Sequence, residues 1–108
     1  MVVTIFRNRL RPENASQYGE WAARMYSLAI KMPGFSAFKT FTAEDGERVA
    51  IAEFETEEAT LNWRNHPEHR QAQELGRKLF YAEYHIQVCQ TIRAYSFPKK
   101  TGAAETSV

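Results

Sequence analysis

The sequence has little cysteine and no excess of charge of one sign. Cys89 is the single cysteine among 108 residues. This excludes an intrachain disulfide framework and a cysteine-based zinc site, and it is typical of a reducing compartment. Fourteen Lys and Arg residues oppose 13 Asp and Glu residues, for a formal net charge of +1. Nucleic-acid binders normally carry a strongly basic face and membrane anchors a polybasic segment, so neither partner is expected.

Long apolar runs and phosphate-binding loops are absent as well. No stretch approaches the ~18 consecutive apolar residues of a membrane-spanning helix, and the first residues show no apolar signal-peptide run. The five glycines are scattered, which excludes a Gly-rich phosphate loop. There is no serine nucleophile elbow. We therefore expect a soluble, cytoplasmic protein whose length suits one ordinary domain.

Along the sequence, segments with the two-residue period of strands alternate with segments that have the 3.6-residue period of helices. Strand-like runs are β-branched and aromatic, and the helical stretch before Pro33-Gly34 carries one apolar stripe. An Asp-Gly pair separates the two middle strands, as in hairpins. The predicted elements, in order, are a strand over 2–10, a helix over 18–32 with Asn14 or Ser16 as its cap, strands over 35–43 and 48–55, a short helix capped by Thr56, a helical segment beginning at Pro67, and a strand over 84–97.

This order predicts an α+β fold of the ferredoxin-like βαββαβ type, with an antiparallel four-stranded sheet and a second helix broken at 65–67. The domain would span residues 1–97, and residues 98–108 would form a flexible C-terminal tail. Helices cover one face of such a sheet. Because the other face also carries Val, Ile and Phe side chains, we expect a second copy to cover it, as a homodimer.

Chemistry-bearing residues concentrate in the broken second helix, around Trp63, His66 and His69. The two histidines lie three residues apart, as metal ligands often do, but Pro67 separates them and no third ligand is evident, so no metal site is predicted. His69, Ala72, Gln73 and Gly76 share one helix face beside the inward apolar stripe. Polar groups turned inward favour a partly polar cavity between helix and sheet. Alternatively, His66 caps the helix, His69 bonds a neighbouring carbonyl, and Trp63 is core.

Several motifs together resemble one known family. They are Pro33-Gly34-Phe35 after the first helix, Glu53-Phe54 at the third strand, the run from Trp63 to His69, Gly76-Arg77, Phe80-Tyr81, and Tyr95-Ser96-Phe97. In this order the chain resembles the antibiotic biosynthesis monooxygenase family over residues 1–97. The resemblance implies a dimeric α/β barrel. It also implies either a cofactor-independent monooxygenase that oxidises quinols or anthrones with O₂, or a haem-degrading monooxygenase.

The cofactor-independent branch implies a base, hydrogen bonds to a substrate anion, and a dry aromatic pocket. His69 or His66 is the expected base, and Asn8 is expected to hold a substrate oxygen. The expected aromatic and polar lining consists of Phe6, Trp63, Gln73, Tyr81 and Tyr84. In the haem-degrading branch an axial histidine follows the tryptophan by ten residues. That position is Gln73 here, so haem is disfavoured and no cofactor is expected. A non-catalytic role in binding a small ligand remains the alternative.

Overall fold

The computed structural model describes residues 1–98. Its strands are β1 (Val2–Leu10), β2 (Phe35–Thr42), β3 (Arg48–Phe54) and β4 (Tyr81–Gln90). Its helices are α1 (Ala15–Ala29), α2 (Glu57–Arg64) and α3 (Pro67–Leu75). A single turn of 3₁₀ helix, Pro12–Asn14, precedes α1, and a π-helical turn, Gly76–Phe80, joins α3 to β4.

The four strands form one antiparallel sheet in the order β2-β3-β1-β4. The chain thus has the predicted ferredoxin-like α+β topology, with β1 and β3 central and β2 and β4 at the edges. Alternation along β1 separates two faces. Tyr26 of α1 packs its ring 5.7 Å from that of Phe38, which marks the helix side of the sheet. The cross-strand register places the even-numbered residues of β1, from Val2 to Asn8, on that same side.

Local sequence signals explain where the second helical region begins and breaks. The Thr56 hydroxyl accepts a hydrogen bond of 3.0 Å from the amide of Ala59, which caps α2 as predicted. His66 caps α3 in the same way, since its Nδ1 accepts from the amide of Glu68 at 3.2 Å. Pro67 then occupies the first helical position, where its missing N–H leaves no intrahelical bond unmade. The predicted break at 65–67 is therefore confirmed.

Three predictions about element ends were wrong. The first helix was expected over 18–32, but α1 spans Ala15–Ala29. The last strand was expected over 84–97, but β4 begins at Tyr81 and ends at Gln90. Its last paired residue, Gln90, lies opposite Val2 at the start of β1, and the next backbone bond joins the amide of Thr91 to the carbonyl of Met1. Asn14 does occupy the N-cap position of α1, but its side chain makes no cap. It donates instead to the carbonyl of Leu79, at 2.7 Å.

The predicted C-terminal tail, 98–108, lies outside the described residues except for Pro98. Within residues 1–98, none of the helices combines the length and the apolar character that crossing a membrane requires.

Candidate functional site

Three side chains form a row across the helix side of the sheet. Asn8 of β1 is the direct cross-strand partner of Arg48 in β3 and of Tyr84 in β4. Directly opposed side chains have Cβ atoms about 4.5–5.5 Å apart, so the three are neighbours. Asn8 is only 3% exposed, and its Oδ1 has no hydrogen-bond partner. A buried acceptor left unpaired costs about 1–3 kcal/mol, which marks this position as one where a ligand group can bind.

Aromatic rings surround one end of this row. We call the five rings the aromatic cluster: Phe6, Tyr18, Phe80, Tyr81 and Tyr84. Successive rings lie 5.2–5.9 Å apart between centroids and meet at 67–83°, edge to face. This geometry is the favoured one for aromatic pairs. The cluster gives the helix side of the sheet an apolar wall beside the unpaired oxygen of Asn8.

A bulge in β4 places Tyr81 in the cluster. Arg9 pairs with Glu83 but Leu10 pairs with Tyr81, so Ala82 is skipped. Regular alternation would put Tyr81 and Tyr84 on opposite faces of the sheet. The extra residue turns Tyr81 to the helix side, where its ring contacts those of Phe6 and Tyr84.

The backbone next to Tyr81 is held by Arg11 and Asn14, which lie between β1 and α1. The Arg11 side chain donates to the carbonyls of Lys78 and Tyr81, at 3.2 and 3.1 Å. The backbone amide of Arg11 donates to the carbonyl of Phe80, at 2.7 Å. The side-chain amide of Asn14 donates to the carbonyl of Leu79. Four successive carbonyls at the end of the π-helical turn are thus satisfied by two residues. This fixes the segment that carries Phe80 and Tyr81.

The electrostatics of the cluster favour a neutral Tyr81 hydroxyl, and a cation lies nearby. Burial, with a smaller contribution from the neighbouring Tyr18, raises the pKa of Tyr81 far above its ordinary value of 10.0. Tyr81 is therefore a neutral hydroxyl at physiological pH. The Arg48 guanidinium lies 5.0 Å from the centre of the Tyr18 ring, in a cation–π contact.

A second group of rings lies at the junction of α2 and α3. We call Trp63, His66 and His69 the histidine cluster. The His69 ring stacks on Trp63, with centroids 4.2 Å apart and planes 12° apart. Its Nδ1 is 3.0 Å from the Trp63 carbonyl. A carbonyl can only accept, so Nδ1 carries the proton and Nε2 of the neutral ring keeps its lone pair.

The two histidines differ in the nitrogen that is free to act as a base. His66 uses the lone pair of Nδ1 to cap α3, so in the neutral ring Nε2 carries the proton. His69 leaves Nε2 unprotonated. Burial lowers the pKa of His69 from its ordinary value of 6.5, which outweighs the opposing effect of the hydrogen bond to Trp63. His69 is thus a neutral imidazole at neutral pH, with one basic nitrogen.

The residues expected at the site therefore occupy two separate groups. Phe6, Tyr81 and Tyr84 come together around Asn8, while Trp63 and the two histidines form the other group. Gln73 Nε2 donates to the carbonyl of Arg64, at 3.3 Å. In the described part of the chain, no hydrogen bond or ring contact joins the two groups, and no three His, Cys, Asp or Glu side chains are grouped for a metal ion.

The surroundings of the two groups show where the sheet is open. On the helix side, Tyr84, Ile86 and Val88 of edge strand β4 are 41–55% exposed. This leaves an uncovered apolar strip beside the aromatic cluster. Two concavities are also present, of about 290 and 200 Å³, and neither is lined by the histidine cluster. The larger one is lined by Arg7, Asn8, Glu47, Glu83, Tyr84 and His85.

Three members of the site were not predicted from the sequence, namely Tyr18, Phe80 and Arg48. Tyr18 was assigned only to the apolar stripe of α1, and Arg48 only to the start of a strand. The position of Arg48 opposite Asn8 follows from the pairing of β1 with β3, two strands that are distant in sequence. The Tyr18 ring, which makes the cation–π contact with Arg48, comes from α1, and no local sequence pattern indicates that contact.

Fold and site together define a ferredoxin-like α+β protein with an aromatic site on the helix side of its sheet. The family model described as antibiotic biosynthesis monooxygenase matches residues 1–75. An uncharacterized protein of Bacillus subtilis (strain 168), YqjZ, is 35% identical over 92 residues, covering 85% of this chain and 81% of that protein. The chain belongs to the antibiotic biosynthesis monooxygenase family.

Solved structures agree on the fold. Rv0793 from Mycobacterium tuberculosis superposes with a TM-score of 0.77 at 19% identity, over 88% of this chain and 98% of that one. SnoaB from Streptomyces nogalater, a cofactor-independent oxygenase, was solved as a variant and gives a TM-score of 0.74 at 18% identity, over 91% and 97% of the two chains. At these identities the likeness concerns the fold alone.

Proposed function

We propose that the protein is a cofactor-independent monooxygenase that oxidises a small, electron-rich aromatic of the quinol or anthrone type with O₂. The observation that carries this proposal is the buried, unpaired Oδ1 of Asn8 beside the aromatic cluster. An aromatic substrate with a hydroxyl group would pack its ring against the aromatic cluster. Its hydroxyl group would donate the hydrogen bond that Asn8 Oδ1 lacks. Family membership and the cofactor-independent SnoaB among proteins of the same fold support the same reaction class.

The reaction requires few functional groups from the protein. Deprotonation of an anthrone-type substrate gives an electron-rich anion that reacts with O₂ itself. The substrate CH₂ becomes C=O, one oxygen atom enters the product, and the other leaves as water with the two hydrogens. The protein must remove a proton, stabilise the anion and keep bulk water away.

His69 is the proposed base. Its Nε2 holds a free lone pair, its Nδ1 is anchored on the Trp63 carbonyl, and its lowered pKa keeps it neutral at the pH where it must accept a proton. His66 is assigned to capping α3, since its neutral ring offers no second lone pair. Trp63 orients His69 by stacking, so it acts as a positioning residue.

A ligand-binding role without catalysis is the second candidate. The contacts of His66 and His69 favour it, because a helix cap and a bond to a neighbouring carbonyl are also what purely structural histidines make. In that case Asn8 and the aromatic cluster would bind an aromatic hydroxyl compound that leaves unchanged. Turnover distinguishes the two functions.

Oxygen uptake by the metal-free protein tests the proposal, with anthrone and a series of hydroquinones as substrates. We expect uptake with at least one compound and a 10²–10⁴-fold lower kcat for His69→Gln, since glutamine keeps the donor to the Trp63 carbonyl but not the base. Arg70→Gln is the control, because Arg70 is exposed on the same helix and lies outside both proposed groups of site residues. Absence of uptake across the series, or equal losses in the two variants, would contradict the proposal.

We also propose that the protein works as a homodimer joined through the helix-free side of the sheet. That side carries Val3, Ile5, Phe41, Val49, Ile51 and Cys89, and Phe41 is 48% exposed. A stable interface buries about 800 Å² on each partner, which a four-stranded sheet face can supply. Light scattering at micromolar concentration should give twice the chain mass. Ile51→Lys should give the monomer, whereas Gln71→Lys on exposed α3 should not; a monomeric wild type would refute the dimer.

A further inference from the structure

Arg48 is a cation without a carboxylate partner. Among residues 1–98, it has no salt bridge, whereas Arg7, Arg9 and Arg24 each pair with an acidic side chain. It is half-buried rather than fully solvated. Its only charge-stabilising contact in the described chain is with the face of Tyr18. Its N–H donors are therefore available to a ligand oxygen.

The neighbours of Arg48 complete a pair of complementary groups. The guanidinium offers several N–H donors and a positive charge. Next to it in the row, Asn8 offers an unpaired acceptor, Oδ1. The two therefore fit a ligand with two adjacent oxygens, one that carries negative charge and one that keeps its proton. The aromatic cluster beside them fits a flat ring bearing those oxygens.

We propose that Arg48 binds the anionic oxygen of the ligand while Asn8 accepts a hydrogen bond from the hydroxyl next to it, so that the site selects aromatics with two neighbouring oxygens, one ionised. The inference rests on the proposed function, because it deepens the substrate class of the same site. It assigns Arg48 as a substrate-binding residue that lowers the energy of the deprotonated substrate. A guanidinium is suited to this role because it stays charged at any working pH and hydrogen-bonds to oxyanions.

Two coloured, non-oxidised ligands test the inference without requiring turnover. The probes are 4-nitrophenol and 4-nitrocatechol, which share one ionisable hydroxyl. Only the catechol adds a neighbouring one. Absorbance titration on the wild-type protein should show both bound as phenolates, with an apparent pKa lower than in free solution. 4-Nitrocatechol should bind about tenfold more tightly than 4-nitrophenol, as expected for one satisfied buried acceptor.

Variants separate the two contacts. Arg48→Met should weaken phenolate binding about tenfold or more and raise the apparent pKa of the bound probe by about one unit. Arg48→Lys, which keeps the charge, should retain most of the preference for the ionised form. Arg93→Met is the control for loss of one exposed charge, and it should change neither value. Asn8→Leu should remove the preference for the catechol while 4-nitrophenol still binds.

The outcomes distinguish this inference from the proposed function. Wild-type protein that binds both probes as neutral phenols would overturn the inference, and this result needs no variant. Equal effects of Arg48→Met and Arg93→Met would overturn it as well. Phenolate binding through Arg48 with no O₂ uptake from any quinol or anthrone would uphold the inference while refuting the monooxygenase.

Discussion

Replacing Gly76 by alanine should have two opposing effects on the free energy of unfolding, at a position next to Tyr81 of the aromatic cluster. The backbone of Gly76 is helical, at φ −56° and ψ −49°, so alanine is intrinsically favoured there by about 1 kcal/mol. However, a Cβ at this position would lie 2.6 Å from Cε2 and 2.9 Å from Cδ2 of Tyr81. The ring cannot swing freely, because it packs edge to face against Phe6, Tyr18 and Tyr84.

The clash with Tyr81 should outweigh the higher helix propensity of alanine. Overpacking costs about 1–3 kcal/mol, and each aromatic pair that the shift weakens adds up to about 0.5–1.5 kcal/mol. We therefore expect Gly76→Ala to lower the free energy of unfolding by about 1–2 kcal/mol and Tm by roughly 4–15 °C. Calorimetry at a fixed protein concentration measures this, since a dimer would make Tm depend on concentration.

Two controls isolate the contact. Gly19→Ala, in the middle of α1 with no atom within 4 Å of the new Cβ, should stabilise the protein by about 1 kcal/mol. In a Tyr81→Ala background, Gly76→Ala should change from destabilising to neutral or stabilising. The reasoning is refuted if Gly76→Ala alone stabilises the protein as Gly19→Ala does.

Three further perturbations follow from single contacts. Gly34→Ala should lower the free energy of unfolding by about 2–4 kcal/mol in denaturant titration, because φ is +82° and the new Cβ would lie 2.7 Å from that of Ala59; a free energy of unfolding equal to or above that of the wild type would contradict this. Thr56→Ala should cost about 1 kcal/mol and Thr56→Ser much less, since serine keeps the capping oxygen; equal losses would argue against the cap. The lowered pKa of His69 means that the unfolded chain binds a proton more readily than the folded one, so the free energy of unfolding should fall as pH drops below about 6.5. His69→Gln should flatten that slope, and an unchanged slope would show that another group causes it.

Local chemistry accounts for the part of the fold that could be predicted from the sequence. The two faces of β1 follow from the two-residue period of strand side chains, and Thr56 marks the start of α2 by a capping hydroxyl. Gly46, at φ +90°, allows the turn between β2 and β3. Each of these signals lies within a few residues of the structure that it predicts.

The predictions that failed depend on partners distant in sequence. The end of β4 is set by the length of β1, and its start by a bulge that no local pattern marks. Asn14 is a residue type that favours N-cap positions, but its side chain donates to the carbonyl of Leu79 in the π-helical turn instead. The stack of His69 on Trp63 fits both a catalytic and a structural role, so residue type alone left the function open.

The central claim is that the protein inserts one atom of O₂ into an aromatic substrate without a cofactor. Turnover of anthrone, or of a hydroquinone that supports uptake, by metal-free protein under ¹⁸O₂ tests it most directly, with mass spectrometry of the product. The account predicts one ¹⁸O atom in the product, the other in water, and no stimulation by added haem or metal ions. Product without ¹⁸O, or oxidation that depends on an added metal or haem, would contradict it.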